Sequence, residues 1–493
     1  MGKFDRKPKL DPSVKLRMDV FTEDELNKIH ESTLDVFENI GILVDSPEAK
    51  DIYVAAGATA EDRTDGKFLV KIPRSIVTQA IEDAPKWFTV YGRTEDRDFE
   101  TADNNVGFVT FGECVKIIDP VTRKVRDTTK KDVGEVTKLA DFFENIVAIE
   151  RQCCSGDYPA ELQPLHNFQA MVNNTSKPIF IGAVKGRNVK PMYDMACAAV
   201  GGKENFDKRP YLYIFVCPVS PLHMAGDCCE QVIESARLGM GIAIIPMALA
   251  SATSVATLAG TIVSHNVETL SAVILAQLVK KGTPCVYSTM TTIMDLKHMI
   301  SACGAPEHGL MSAGIAQLCR HYGFPSWTGS GVADSKLPDA QTGYEYAINA
   351  SAAAYGNATF IMGTGALESC MTVDQAKIVM DCEAQTFIRR ILQGIEVNED
   401  TLALDVLAER GPGSQFLNAK HTRKHMKEQI SNDVFSRDVI TDWESKGSKD
   451  AATVAYEKAA AILEKYQVIP VAEGANDIMD KIIADFAKEI GLE

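Results

Sequence analysis

Eight short apolar runs between residues 106 and 365 constrain the fold of this chain more than any other feature. They read VGFVTFG (106–112), ENIVAIER (144–151), KPIFIGAV (177–184), YLYIFVCP (211–218), IAIIPMALA (242–250), PCVYSTM (284–290), FPSWTGSG (324–331) and ATFIMGTG (358–365). Runs of this length with both faces apolar suit parallel strands covered by helices. The intervals supply those helices, in amphipathic segments such as MYDMACAAVGG, CCEQVIESARLG and TLSAVILAQLVKKG. Eight repeats of the pattern predict an α/β fold of the (β/α)8 barrel type. A doubly wound sheet would carry G-x-G-x-x-G after an early strand, and the sequence has neither that motif nor a P-loop nor G-x-S-x-G.

The segments on either side of the runs differ in character. Residues 20–40 show apolar positions at helical spacing behind Thr22, with Glu25 three residues on, a capping-box signature. A second helix at SPEAKDIYVAAGA, a strand at KFLVKIP and a helix to about residue 84 make residues 1–100 an α/β cap. Residues 101–400 hold the barrel, and the polar, charged residues 401–493 form a helical extension packed on it. In the extension His421 and His425 stand four residues apart, as two ligands of one metal would. No third ligand is apparent, so the preferred reading is a solvated helix face and no metal site.

Charge and cysteine content exclude several classes. The net charge of −16 is spread without a basic stripe, which argues against nucleic-acid binding. Apolar stretches such as GMGIAIIPMALASA fall short of a membrane span and MGKFDRKPKL has no signal core, so a soluble, cytoplasmic protein is expected. Twelve cysteines without C-x-x-C spacing fit a reducing, anaerobic cytosol, and most of them, with Cys217, Cys285 and Cys319 in apolar runs, read as small buried thiols. The acidic surface and large size suit a homo-oligomer.

A barrel builds its site where the strands' C-terminal ends meet. The residues ending the runs are mostly small, hydroxylic or aromatic; Glu113, Arg151 and Asp334 are their charges, with His166 and Glu345 following in the next segments. Such a rim lacks the nucleophile–base pair or inserted lysine of a hydrolase or aldolase. It suits a large partner resting its own reactive group on an open floor. Phe111, Tyr213, Tyr287, Trp327, Tyr344, Tyr346 and Phe360 could cage an alkylammonium ion, each ring face attracting it by about 0.5–2 kcal/mol, with core packing as the alternative for each.

The segments FPSWTGSGVADSKLPDAQTGYE (324–345), SHNVETLSAVILAQL (264–278), CPVSPL (217–222) and GIEVNEDT (394–401) resemble the trimethylamine:corrinoid methyltransferase family along nearly the whole chain. The resemblance implies a (β/α)8 barrel that passes an N-methyl group to the Co(I) of a separate corrinoid protein and holds no tightly bound cofactor itself. Where the founding member has pyrrolysine, this chain has Val332, followed by Ala333, Asp334, Ser335 and Lys336. That departure points to the branch acting on quaternary amines such as glycine betaine, proline betaine, carnitine or γ-butyrobetaine. A quaternary nitrogen leaves as a neutral tertiary amine and needs no acid, so an inert valine suffices, and the enzyme's task is orientation and desolvation.

The expected catalytic positions are Gly331, Val332, Asp334 and Glu345. Substrate contacts are assigned to Phe111, Arg151, His166, Tyr287, Trp327, Gly329, Tyr344 and Gly363. Arg151 and His166 are candidates for a betaine carboxylate, helped by backbone N–H groups of the 329–331 and 363–365 turns. Arg151 has an alternative as the ion-pair partner of Glu113 or Asp157. Asp334 and Lys336 are read chiefly as loop fasteners, and His265, Asn266 and Glu268 as a hydrogen-bonded structural cluster. The alternatives for function are methyl transfer from another N- or O-methyl donor and a non-catalytic quaternary-ammonium binding protein.

Overall fold

The computed structural model describes residues 14–492. Each apolar run forms a strand: β1 (Gly107–Thr110), β2 (Ile146–Glu150), β3 (Ile179–Gly182), β4 (Leu212–Val216), β5 (Gly241–Ile244), β6 (Cys285–Thr289), β7 (Ser326–Thr328) and β8 (Phe360–Thr364). They pair in parallel in chain order, and β8 closes on β1. The strands are followed in turn by α1 (Lys130–Phe142), α2 (Gln163–Val172), α3 (Gly186–Ala199), α4 (Gly226–Leu238), α5 (Leu258–Val279), α6 (Pro306–Tyr322), α7 (Ala340–Tyr355) and α8 (Gln375–Leu392).

Alternation along the strands sends every second side chain into the bore, so layers form from alternate strands. Val109, Phe180, Ala243 and Trp327 come from the odd strands and are buried together. The Trp327 ring lies 4.4 Å from Phe180 and 5.0 Å from Phe360. The next even-strand positions toward the C-terminal ends are Glu150, Phe215, Ser288 and Met362, all buried. At the opposite end, a short pair of strands (Thr89–Val90 and Phe99–Glu100) brings Phe99 to 5.1 Å from Phe360 and closes the bore. An aromatic plug therefore separates this end from the strand ends that carry function.

The N-terminal elements pack on the flank. Thr22 and Glu25 make the capping box of the helix Glu23–Asp35, with the Glu25 N–H to Thr22 Oγ1 contact at 3.3 Å. Strands Ile42–Val44, Thr59–Asp62 and Phe68–Lys71 form a sheet completed by His223–Met224 from the β4–α4 connection. Asn266 of α5 ties this unit to the barrel by donating to Thr33 Oγ1 at 2.8 Å and accepting from Tyr287 Oη at 2.8 Å. At 22 residues α5 reaches membrane-spanning length and hydropathy, beyond the shorter stretches expected from the sequence; it is mostly buried in the protein. Helices Ala451–Lys465 and Ala475–Glu489 cover the opposite flank against α8, α1, α3 and α2.

Candidate active site

The loops after β6, β7 and β8 are locked together. Gly331 N–H donates to Met362 O at 2.8 Å, and a Cβ on Gly363, whose φ is +116°, would lie 2.4 Å from both Gly331 C and Val332 N. Only glycine permits that approach of two backbones. Gly329 N–H donates to Thr289 O at 3.0 Å, Val332 N–H to Gly329 O at 3.2 Å, Ala333 N–H to Ala366 O at 3.3 Å and Gly365 N–H to Asp381 at 2.8 Å. The small residues were expected to let a ligand approach the main chain and to offer N–H groups to a carboxylate. They instead bring backbone against backbone, and these donors are already engaged.

Side chains complete the lock. Asp334 accepts from Cys303 N–H at 3.0 Å and Ser369 Oγ at 2.6 Å, while Glu345 accepts from Asp334 N–H at 2.7 Å and Ser335 N–H at 3.2 Å. Both carboxylates fasten loops. Lys336 donates to the Asp334 carbonyl at 2.8 Å, holding the loop through the backbone instead of through an ion pair. Behind them, the buried Lys377 of α8 pairs with Asp381 at 2.6 Å and reaches Gly331 O at 3.3 Å. Val332 has no accessible surface and belongs to the buried cluster at the bore that also holds Phe111, Phe215, Trp327 and Met362. It is a wall element of the bore top, not an exposed rim residue.

The β2–β4 side is different. Gly182 ends β3 with no side chain, and a Cβ built there would meet nothing nearer than Phe215 O at 3.8 Å. Cys217, next past β4 and expected to be a buried thiol, is instead exposed, because the chain leaves the barrel at that point; neighbouring atoms still push its thiol up to about 12. A half-buried glycine and an exposed thiol leave this part of the strand ends open, as a hollow between β3 and β4. Phe111 and Phe215, 6.3 Å apart, line it, and Phe215 rests on Trp327 at 5.5 Å. Glu150, the last residue of β2, is 1% exposed and accepts the Gly112 N–H at 3.2 Å. Burial holds its carboxyl well above the usual carboxylate range, opposed by that N–H and by the backbone N–H of Arg151, while the Cys154 thiol adds to the rise. No Lys or Arg among the described residues pairs with it; Arg151 beside it turns to Glu113 and to Cys154 Sγ, the latter at 2.7 Å.

Of the residues expected to touch substrate, Phe111 faces this hollow. Trp327 lies beneath as core, its indole N–H without a partner. Arg151 is engaged by Glu113, the ion-pair alternative. His166 sits in the helical layer, stacked on Tyr158 at 3.6 Å and 3.0 Å from Lys130 Nζ; burial, then the Lys130 charge, lower it to about 4. Tyr287 points outward to Asn266, because its strand position has the opposite parity to Val286 and Ser288. Tyr346 is buried in the helical layer outside the bore, its ring against Gly331 and Lys377 and its hydroxyl accepting from Gln385 at 2.9 Å, and Tyr344 is 71% exposed on α7. Glu150 and Phe215 were missed; the signal for Glu150 was an acid at an inward position inside the apolar run ENIVAIER.

His265, Asn266 and Glu268 have structural partners as expected, but separate ones: Thr291 for His265, Thr33, Tyr322 and Tyr287 for Asn266, and the β4–α4 connection for Glu268. Glu268 accepts from Ser220 Oγ at 2.7 Å and Leu222 N–H at 2.9 Å, anchoring the β4–α4 connection, and burial raises it to about 7. In the C-terminal extension the fold adds Asp400 to His421 and His425, the third ligand-type residue not apparent in the sequence, with His425 Nε2 at 3.2 Å from Asp400 Oδ2. Lys424 Nζ already lies 2.6 Å from both Asp400 oxygens and meets that charge.

The family model described as "Trimethylamine methyltransferase (MTTB)" matches residues 7–491. The chain belongs to this family. It is 38% identical to Trimethylamine methyltransferase MttB of Desulfitobacterium hafniense (strain DSM 10664 / DCB-2), over 96% of this chain and 95% of the relative. It is 35% identical to the MttB of Methanosarcina barkeri, over 92% of each. A glycine betaine methyltransferase of Desulfitobacterium hafniense (strain Y51) is 29% identical, over 97% of this chain and 99% of the relative. The crystal structure of the Methanosarcina barkeri monomethylamine methyltransferase (MtmB) superposes with TM-score 0.54 at 12% identity, covering 92% of this chain and 90% of that one, which confirms the barrel fold. This family member is accordingly a methyltransferase built on a (β/α)8 barrel.

Proposed function

We propose that this protein takes a methyl group from a quaternary amine, a carboxylate-bearing betaine, and delivers it to the Co(I) of a separate corrinoid protein. The observation carrying this reading is the grouping of side chains at the open side of the strand ends: the Phe111 and Phe215 rings and the Glu150 carboxyl, which has no basic partner among the described residues, a set complementary to an organic cation. Membership of the trimethylamine methyltransferase family supports methyl transfer, and the glycine betaine relative supports the substrate class.

The corrinoid, when its carrier docks, supplies the nucleophile. This chain's residues bind, orient and exclude water. Phe111 and Phe215 offer ring faces to the N-methyl groups, Gly182 leaves room for them, and the locked, fully buried loops carrying Val332 support those rings from behind without touching the cation. Exposed Val184, Val219, Met247, Leu296, Met299 and Met371, on the connections after β3, β4, β5, β6 and β8, give the rim an apolar surface suited to a docked partner. The leaving nitrogen departs neutral, so no group need protonate it. Lys377, the cation reaching these loops, is neutralised by Asp381 and plays no acid–base part.

The test is incubation with a reduced corrinoid protein and a betaine panel, following the Co(I) spectrum. Loss of Co(I) with a betaine and none with trimethylamine is expected. Loss with trimethylamine alone overturns the reading.

A further inference from the structure

We propose, resting on the quaternary-amine reading, that Glu150 is the counter-ion of the substrate ammonium and gives its proton to solvent as the cation enters. The geometry makes Glu150 the acid at the hollow: it ends β2 pointing inward, level in the bore with Phe215 and next to the side-chain-free Gly182. The titratable groups around it are the thiols of Cys114 and Cys154 on the flanking connections, Cys217 beyond β4 and Cys370 beyond β8, none of them cationic. The one adjacent cation, Arg151, is directed to Glu113 and Cys154. Backbone N–H groups of Gly112 and Arg151 are its opposing influences and burial outweighs them, so the neutral acid is favoured in the free protein.

A tetraalkylammonium cannot shed its charge, so the pair becomes neutral only if the acid ionises. The balance is one carboxylic acid and one cation in, one carboxylate–ammonium pair and one solvent proton out. Below the titration point of free Glu150 the affinity should fall about tenfold for each unit of decreasing pH; above it affinity should be flat. A ligand of the same shape without the ammonium charge would lack the tenfold-per-unit fall below that point.

Calorimetry of the whole protein with glycine betaine, in buffers of different protonation enthalpy, counts the proton. The comparison ligand is 3,3-dimethylbutanoate, in which carbon replaces the ammonium nitrogen. Release of about one proton per betaine bound is expected below the titration point, and none with the carbon analogue. Glu150→Gln should abolish the release and weaken betaine by about tenfold or more. It should leave the carbon analogue's affinity unchanged, which also shows the pocket intact. Wild-type binding without proton release, or a Glu150→Gln protein that still prefers betaine to its carbon analogue as wild type does, overturns the proposal. If that second result accompanies normal wild-type demethylation, the quaternary-amine reading stands alone. If wild type binds no quaternary amine and methylates no corrinoid, both fall.

Discussion

The two sides of the barrel's functional end use glycine for opposite purposes. Around β7 and β8, Gly331 and Gly363 remove side chains so that two loops can touch backbone to backbone, and a buried ion pair, Lys377–Asp381, holds the joint from behind. Around β2 to β4, Gly182 removes a side chain and nothing fills the space. The first side is fixed and has its donors engaged. The second keeps a hollow and an acid without a cationic partner. A glycine-rich stretch therefore marks a binding floor only where its backbone groups stay free, and here the richest stretch is the structural one.

The sharpest test of the fixed side is its ion pair. Lys377→Met should leave Asp381 buried without its cation and cost about 4 kcal/mol of stability, read as a fall in the urea midpoint. Lys377→Met combined with Asp381→Leu should recover most of that loss, since the uncompensated charge is then gone. A single variant as stable as wild type would show that the joint does not depend on the pair. Gly363→Ala follows at about 3 kcal/mol, because the new methyl meets Gly331 and Val332 at 2.4 Å in a positive-φ conformation. The same urea series measures it.

How much of this was readable beforehand divides along the same line. All eight strands announced themselves, because parallel strands buried on both faces must be apolar throughout, and YLYIFVCP or ATFIMGTG admits few other readings. The site was less legible. Trp327 and Tyr287 stood next to strand ends in sequence, but parity sends the first into the core and the second out to Asn266. Gly329 to Ala333 looked like exposed floor, because hydrogen bonds between loops, such as Gly331 to Met362, depend on pairings far apart in the chain. Glu150 was hidden by its neighbour Arg151, whose charge at the run's end drew attention from the acid one residue inside the barrel.

The open side has an anchor too, and pH exposes it. Glu268 fastens Ser220 and Leu222, and its carboxyl titrates at about 7 in the folded protein against 4.5 in its ordinary state. The folded state then holds a proton that the unfolded state has lost, so stability contributed by this acid is present below pH ~4.5 and declines as pH rises to about 7, by at most about 3 kcal/mol. Asp381, raised to about 6, acts in the same direction, so the informative quantity is wild type minus Glu268→Gln. Urea midpoints at pH 5 and pH 8 should show a smaller decline in the variant. Equal declines would remove Glu268 from the account.

The smallest change in the molecule gives the cleanest comparison of the two sides. Gly182→Ala adds one methyl where Gly363→Ala also adds one, but at Gly182 the methyl meets only Phe215 O at 3.8 Å and φ is unstrained. Its stability should stay within about 0.5 kcal/mol of wild type. If the hollow holds the trimethylammonium head, that methyl takes the place of an N-methyl group, and a site fitted to its ligand loses about tenfold or more in affinity for one displaced methyl. The expected signature is an unshifted unfolding curve with a raised KM for the betaine. Unshifted unfolding with wild-type KM would mean that the space beside Glu150 is not where the cation sits, and the open side would then be a packing defect of the barrel mouth instead of its binding site.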